Sequence, residues 1–178
     1  MKLLRTIRLD PSDTFIFPTA AEPGDWAISG AFLFAEMDLD RLEGKLLAAF
    51  RSGFLGVPSL GSSTLAQVVE AAAAERSAAV EQAARCFHER LGAPDLAAGR
   101  EAAEAEFAFA ASLCDHPAGT LIAVRRHSDA GTIREAFRSL RARPGAARNG
   151  VYSFLAADEE EEAGDAVDLR SLARENGQ

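Results

Sequence analysis

Two Cys-x-His pairs, Cys86-Phe87-His88 and Cys114-Asp115-His116, are the residues of this chain whose types first suggest chemistry. Thiolate and imidazole are the ligands that tetrahedral zinc takes. Spacing disqualifies the first pair. In a helix, residues i and i+2 point about 200° apart and cannot share one ion. Cys86 then reads as a core thiol beside Phe87. Cys114 and His116 fall where a helix ends and the chain can bend, so they form the weak metal candidate. The plainer reading is a buried thiol and a surface imidazole near a helix C-terminus, which the helix dipole favours. The expectation is therefore no metal and no cofactor.

A second feature is the stretch from Phe50 to Thr64, where Gly53, Gly56 and Gly61 punctuate an apolar run that ends in Ser62-Ser63-Thr64. Glycine is needed where the backbone takes positive φ or where something approaches it closely. Long connections of this kind are often functional. Backbone N–H groups and the three hydroxyls suit an anion, with Arg51 at the mouth of the loop. The stretch lacks a Gly-Lys-Ser/Thr ending and a Gly-x-Gly-x-x-Gly pattern, so neither a P-loop nor a dinucleotide site is indicated. The plainer reading is a structural loop whose Phe54, Leu55, Val57 and Leu60 pack on the core.

A third feature is basic. Residues 125–148 carry seven arginines against Asp129 and Glu135. Read as a helix capped by Ser128 or Asp129, with Ile133, Ala136, Phe137 and Leu140 inward, this segment sets Arg134, Arg138 and Arg141 on one face. Such a face is either a docking surface for an acidic partner or phosphate, or a solvated face partly neutralised by the acidic run Glu159–Glu162. Serine, histidine and aspartate are all present, but sequence order does not define a triad. Glu101, Glu104 and Glu106 read most simply as a solvent face.

The elements that must position these groups follow from length and pattern. The chain has 178 residues, 48% of them hydrophobic, enough for one well-filled core. Its 27 acidic and 19 basic residues give a formal charge of −8, which argues against general nucleic-acid binding. Two cysteines make no disulfide framework, and Asp10-Pro11 cuts off any apolar leader after Lys2 and Arg5. No apolar run is long enough to span a bilayer. A cytoplasmic protein without membrane contact is expected.

Leu3–Leu9 and Thr14–Phe17 read as strands joined at Asp10-Pro11-Ser12-Asp13, an N-terminal hairpin. Trp26–Glu36 suits a buried strand. A helix is expected from Asp38 to Phe50, with Leu39, Leu42, Leu46 and Phe50 as its stripe. Residues 64–69 fit either strand or helix. Val80, Ala84, Phe87 and Leu91 mark a helix stopped by Gly92, and a second begins at Asp95, making an αα-hairpin. Thr120–Val124 is a buried strand, and Val151–Leu155 an edge strand.

Several of these pieces, in this order, resemble a known family. They are Phe50–Gly56 with Gly61–Thr64, Gly92-Ala93-Pro94-Asp95-Leu96, Phe107-Ala108-Phe109-Ala110, and Thr120–Val124 before Ile133–Arg138. Residues 14–141 are similar to an uncharacterised bacterial family of short proteins, known only as a domain of unknown function. The resemblance implies a strand over 63–71. It implies no activity, so no catalytic residue is carried over.

The expected fold is α+β: a mixed, largely antiparallel sheet of about five strands, with an αα-hairpin and two further helices packed on it. Residues 1–157 form one domain, and 158–178 an acidic tail read as disordered. The favoured function is a non-enzymatic binding or accessory module acting through protein–protein contacts, as a homo-oligomer or on another protein. The alternative is a small ligand-binding domain or enzyme with its site at Arg51, Gly53, Gly56, Gly61, Ser62, Ser63 and Thr64.

Overall fold

Leu3 and Leu4 are neighbours in sequence and both wholly buried. Successive residues of a strand face opposite sides, so the strand carrying them has apolar packing on both faces. It is β1 (Lys2–Ile7), at the middle of the sheet. The computed structural model describes residues 1–142, 154–155 and 160–163. β1 pairs on one side with β2 (Trp26–Ile28) and on the other with β5 (Leu65–Glu70), running from Lys2↔Glu70 to Ile7↔Leu65. Outward from β2 come β3 (Phe54–Val57) and β4 (Ser62–Ser63). Outward from β5 come β6 (Leu121–Asp129) and β7 (Thr132–Ala142). The seven strands form an antiparallel half-barrel in the order β4-β3-β2-β1-β5-β6-β7. Two short segments, β8 (Phe154–Leu155) and β9 (Glu160–Ala163), pair with β7.

Among the described residues four α-helices accompany the sheet. α1 (Ser12–Ile16) is a single turn and α2 (Gly44–Ser52) leads directly into β3. α3 (Ala73–Arg90) and α4 (Leu96–Ser112) form the expected hairpin. Asp95 caps α4, its carboxylate accepting from the Ala98 N–H at 2.8 Å. The two helices meet through small side chains, with Ala79, Ala83 and Ala84 on α3 and Ala103 and Ala110 on α4 all buried. The hairpin lies over β1, β2 and β3, whereas α2 lies against β6. The main core joins Leu3, Leu4, Phe54, Val68, Phe87, Phe107, Ile122 and Phe137. Phe17, Phe34 and Phe50 make a smaller cluster beside α2.

The α+β class, the antiparallel sheet, the helix hairpin and the strand at 65–70 agree with expectation, and five elements differ. The helix expected from Asp38 to Phe50 begins only at Gly44, because the chain makes a 3-10 turn at Leu39–Arg41 and is extended at Leu42 and Glu43. The sheet has seven strands where about five were expected. Thr14–Phe17 is no strand: Asp10 accepts from the Ser12 N–H at 2.8 Å and Pro11 starts a helical turn, overriding a β-prone composition. The Trp26–Glu36 strand stops at Ile28. Gly30 then takes φ +74° and a 3-10 turn runs from Ala31 to Phe34.

The largest difference concerns residues 129–141, expected as a helix and found as β7. Ala130 (φ +49°) and Gly131 (φ +81°) form a two-residue hairpin turn with both residues left-handed. In the strand the helical stripe splits, with Ile133 and Phe137 on one face and Ala136 and Leu140 on the other. Of the expected edge strand, Val151–Ser153 lie outside the described residues. So does the 158–178 tail, apart from Glu160–Ala163.

The β3–β4 connection shows why Gly61 is required. A Cβ there would overlap the Ala20 carbonyl and the Ala21 nitrogen, and backbone on both sides cannot yield. Gly61→Ala is expected to destabilise the fold by about 1–3 kcal/mol, as overpacking does. Denaturant melts of the two proteins check this, and equal midpoints would contradict it.

Candidate functional site

β5 pairs with β6 only from Leu121 to Ala123. Beyond Ala123 the β6 edge meets the C-terminal end of α2 instead. Two sites arise at this junction, one on each face of the β6–β7 hairpin, because alternate residues point to opposite sides.

On the inner face sits Arg126, only 2% exposed. Its Nε donates to Glu135 Oε1 at 2.6 Å. One terminal nitrogen donates to the Phe50 carbonyl at 3.0 Å and the Gly53 carbonyl at 2.8 Å, which closes the α2 C-terminus with a cation. The other donates to the Ser29 carbonyl and to Ser29 Oγ. Ser29 Oγ in turn donates to Glu135 Oε1 at 2.5 Å. Burial works against the Arg126 charge and lowers its pKa, the facing Glu135 carboxylate opposes that shift, and the guanidinium stays protonated. One side chain thus ties β6, β7, the β2 exit and the α2 end together.

Glu106 of α4 lies nearby, half-buried, with Oε2 3.5 Å from the Gly30 nitrogen. Loss of solvent raises its pKa above 4.5; the Gly30 N–H opposes the shift, and Glu135 adds to it. The folded state therefore holds this proton more tightly than the unfolded chain does. At neutral pH the ionised, half-buried carboxylate costs stability. As pH falls through the raised folded value toward 4.5, the proton binds and that cost disappears. Glu106→Gln is expected to raise stability at pH 7.5 and to flatten this part of the pH profile. Denaturant titrations at pH 7.5 and 5 check both, and a variant less stable at both would contradict the reading.

On the outer face the register sets Arg125 opposite Ala136 and Arg138 opposite Ala123. Each arginine thus faces a methyl group across the ladder. Arg51 and Ser52 of α2 complete the wall. The result is an open groove of about 350 Å³ lined by Arg51, Ser52, Ala123, Val124, Arg125, Ala136 and Arg138. Arg51 and Arg125 are exposed, and neither makes an ion pair or hydrogen bond among the described residues. An apolar floor with a guanidinium rim suits carboxylates or phosphates carried on a chain, since arginine binds such anions bidentately.

The structure divides the glycine-loop candidates. Arg51 reaches the groove; the rest of the loop turns onto the chain itself. A Cβ on Gly53 would meet the Ala49 carbonyl and Ser62 Cβ, and one on Gly56 would meet Ala21 Cβ and Asp25. The Ser63 hydroxyl donates to the Leu65 carbonyl at 2.8 Å. The Thr64 hydroxyl donates to the buried Asp13 at 2.6 Å, and its N–H to the same carboxylate at 3.2 Å. Ser62 sits in β4.

The arginine candidates also divide. On a strand, Arg134 and Arg138 share the outer face and Arg141 takes the other, so the single face expected of a helix does not form. Arg134 lies 3.5 Å from Asp129. Cys114 is buried against the Ala110 carbonyl, and burial pushes its thiol up to about 11, the protonated form that binds metal poorly. His116 contributes its carbonyl to Lys2 at 2.7 Å. Among the described residues no three His, Cys, Asp or Glu side chains converge as metal ligands.

Arg125, Arg126, Glu135 and Ser29 were not singled out in the sequence. The available signal was alternation about the Asp129-Ala130-Gly131 turn, which places Arg126 and Glu135 on one inner face and Arg125 on the other. Glu106, expected on a solvent face, belongs to the buried cluster.

Among the described residues no helix is long and apolar enough to cross a membrane. Residues 1–156 match the model of a family of unknown function, DUF6505, and the chain belongs to that family. No curated protein and no solved structure matches the chain.

Proposed function

We propose that this member of the DUF6505 family is a non-enzymatic binding module that recognises an acidic segment of a partner protein at the groove between α2 and the β6–β7 hairpin. The observation that supports this reading is the rim itself. Arg125 and Arg138 from the two strands of one hairpin and Arg51 from the distant α2 converge on one apolar floor. Solvated arginines scattered for solubility have no reason to share a cavity. The protein is acidic overall, so a local basic groove stands out from its surroundings and selects negative partners by charge.

The rim is held by rigid parts. Arg125 is next to the clamped Arg126, and Arg51 lies between the two residues, Phe50 and Gly53, whose carbonyls Arg126 holds. The groove is thereby set before a partner arrives, which reduces the entropic cost of binding. The test is fluorescence anisotropy of a labelled hexaglutamate peptide titrated with the full chain at 50 and 200 mM salt. Saturable binding that weakens with salt supports the reading. No binding at 50 mM salt, where screening is least, by the wild type and equally by a full chain carrying Glu160→Gln, Glu161→Gln and Glu162→Gln, would remove it.

A further inference from the structure

Two of the groove-lining residues, Ala136 and Arg138, lie on β7, whose outer edge is partly taken by the chain itself. Residues 160–163 run antiparallel to β7, with Glu160 opposite Arg138, Glu161 opposite Phe137, Glu162 opposite Ala136 and Ala163 opposite Glu135. Arg138 and Ala136 are both groove-lining positions. An acidic run thus registers directly against the wall of the basic groove.

The sequence of this segment is a poor strand. Glutamate is depleted in sheets, and Glu-Glu-Glu-Ala has almost no apolar surface to bury. Backbone pairing and the field of the arginines are what remain to hold it, and both are available to any extended acidic chain. A strand fixed by an apolar sequence would be permanent, whereas an acidic one with four residues of ladder is exchangeable. The segment also lies beyond residue 156, where the family match ends.

From this register, and resting on the binding reading above, we infer that the partner's acidic segment enters as an added strand on the β7 edge, in the seat that Glu160–Ala163 occupies, so that tail and partner compete. Main-chain hydrogen bonds to the edge supply affinity and the arginine rim supplies selectivity, as in other strand-addition complexes. Because the tail is covalently attached, its effective concentration at the seat is high, and an incoming segment binds only as the tail yields.

Two full-length variants and one probe test this. The first carries Glu160→Gln, Glu161→Gln and Glu162→Gln together, which removes the charge. The second is Glu161→Pro, which removes a ladder N–H and disrupts pairing. The probe is the labelled hexaglutamate peptide at 50 mM salt. Both variants are expected to bind it at least tenfold more tightly than the wild type, and adding Arg125→Glu to either is expected to cancel the gain. Equal affinity in wild type and variants would overturn the competition while leaving the groove reading intact. Absence of binding in all three would overturn the groove reading itself. A wild-type dimer in sedimentation that dissolves in the variants would show a second copy's tail in the seat and overturn the intramolecular arrangement.

Discussion

Arg126→Met is expected to unfold at a midpoint roughly 6–20 °C below the wild type, while Arg125→Met, one residue away, is expected to melt almost unchanged. The first figure follows from what is left behind. Glu135 stays mostly buried without its cation, and the Phe50, Gly53 and Ser29 carbonyls lose a donor. Removing one partner of a buried ion pair costs about 3–5 kcal/mol, and each kcal/mol lowers the midpoint of a domain this size by about 2–4 °C. Arg125 is exposed and makes no such bonds, so its replacement stays within about 0.5 kcal/mol. Glu135→Gln should fall between, since an amide oxygen can still accept from Arg126 and Ser29 without carrying charge. Thermal melts followed by far-UV circular dichroism read all three. An Arg126→Met midpoint within 2 °C of wild type would show that the clamp contributes nothing.

The reverse pattern is expected for binding. Arg51→Glu and Arg125→Glu each weaken hexaglutamate binding by about tenfold at 50 mM salt, with no loss of thermal stability. An exposed ion pair is worth about 0.2–1 kcal/mol. Reversal removes that attraction and adds a repulsion of similar size, so roughly 1.4 kcal/mol per site is within reach, and that is a factor of ten. The double reversal should leave no measurable affinity at 200 mM salt, where the remaining attraction is screened. Arg134→Glu is the control: it lies on the neighbouring strand β7 and on the same outer face as Arg125, but outside the groove lining and beside Asp129. If Arg134→Glu weakens binding as much as Arg125→Glu, recognition follows net charge and the groove is not its seat.

How much of this was legible in the sequence depends on which interactions decide each element. The helix hairpin was readable because its stripe is local: Val80, Ala84 and Phe87 recur at helical spacing, and Gly92 and Asp95 punctuate it. The β6–β7 hairpin was not, because Ile133, Ala136, Phe137 and Leu140 satisfy the helical period by coincidence. Only pairing with Leu121–Asp129 fixes β7 as a strand, and a long-range pairing is invisible to a local window. The same misreading split the site. With 132–142 as a helix, Arg138 belongs to one candidate and Arg51 to another; with it as a strand, both rim one cavity. The Gly53–Thr64 stretch was located correctly as unusual, but the sequence does not say whether a glycine makes room for a ligand or for its own chain. At Gly61 the occupant is the Ala20 carbonyl.

The position of β1 has a kinetic consequence. Its ladder with β5 closes a loop of some sixty residues, and no local contact can substitute for it, because both of its faces and both of its edges are filled by distant segments. Chains dominated by such remote pairings fold on the millisecond-to-second scale, far slower than helical bundles. During that interval Leu3 and Leu4 are exposed on an unpaired strand. The same arrangement that encloses β1 in the finished protein leaves it open to misassociation until its partners arrive, and the α3–α4 hairpin, whose own contacts are local, packs against it in the finished fold.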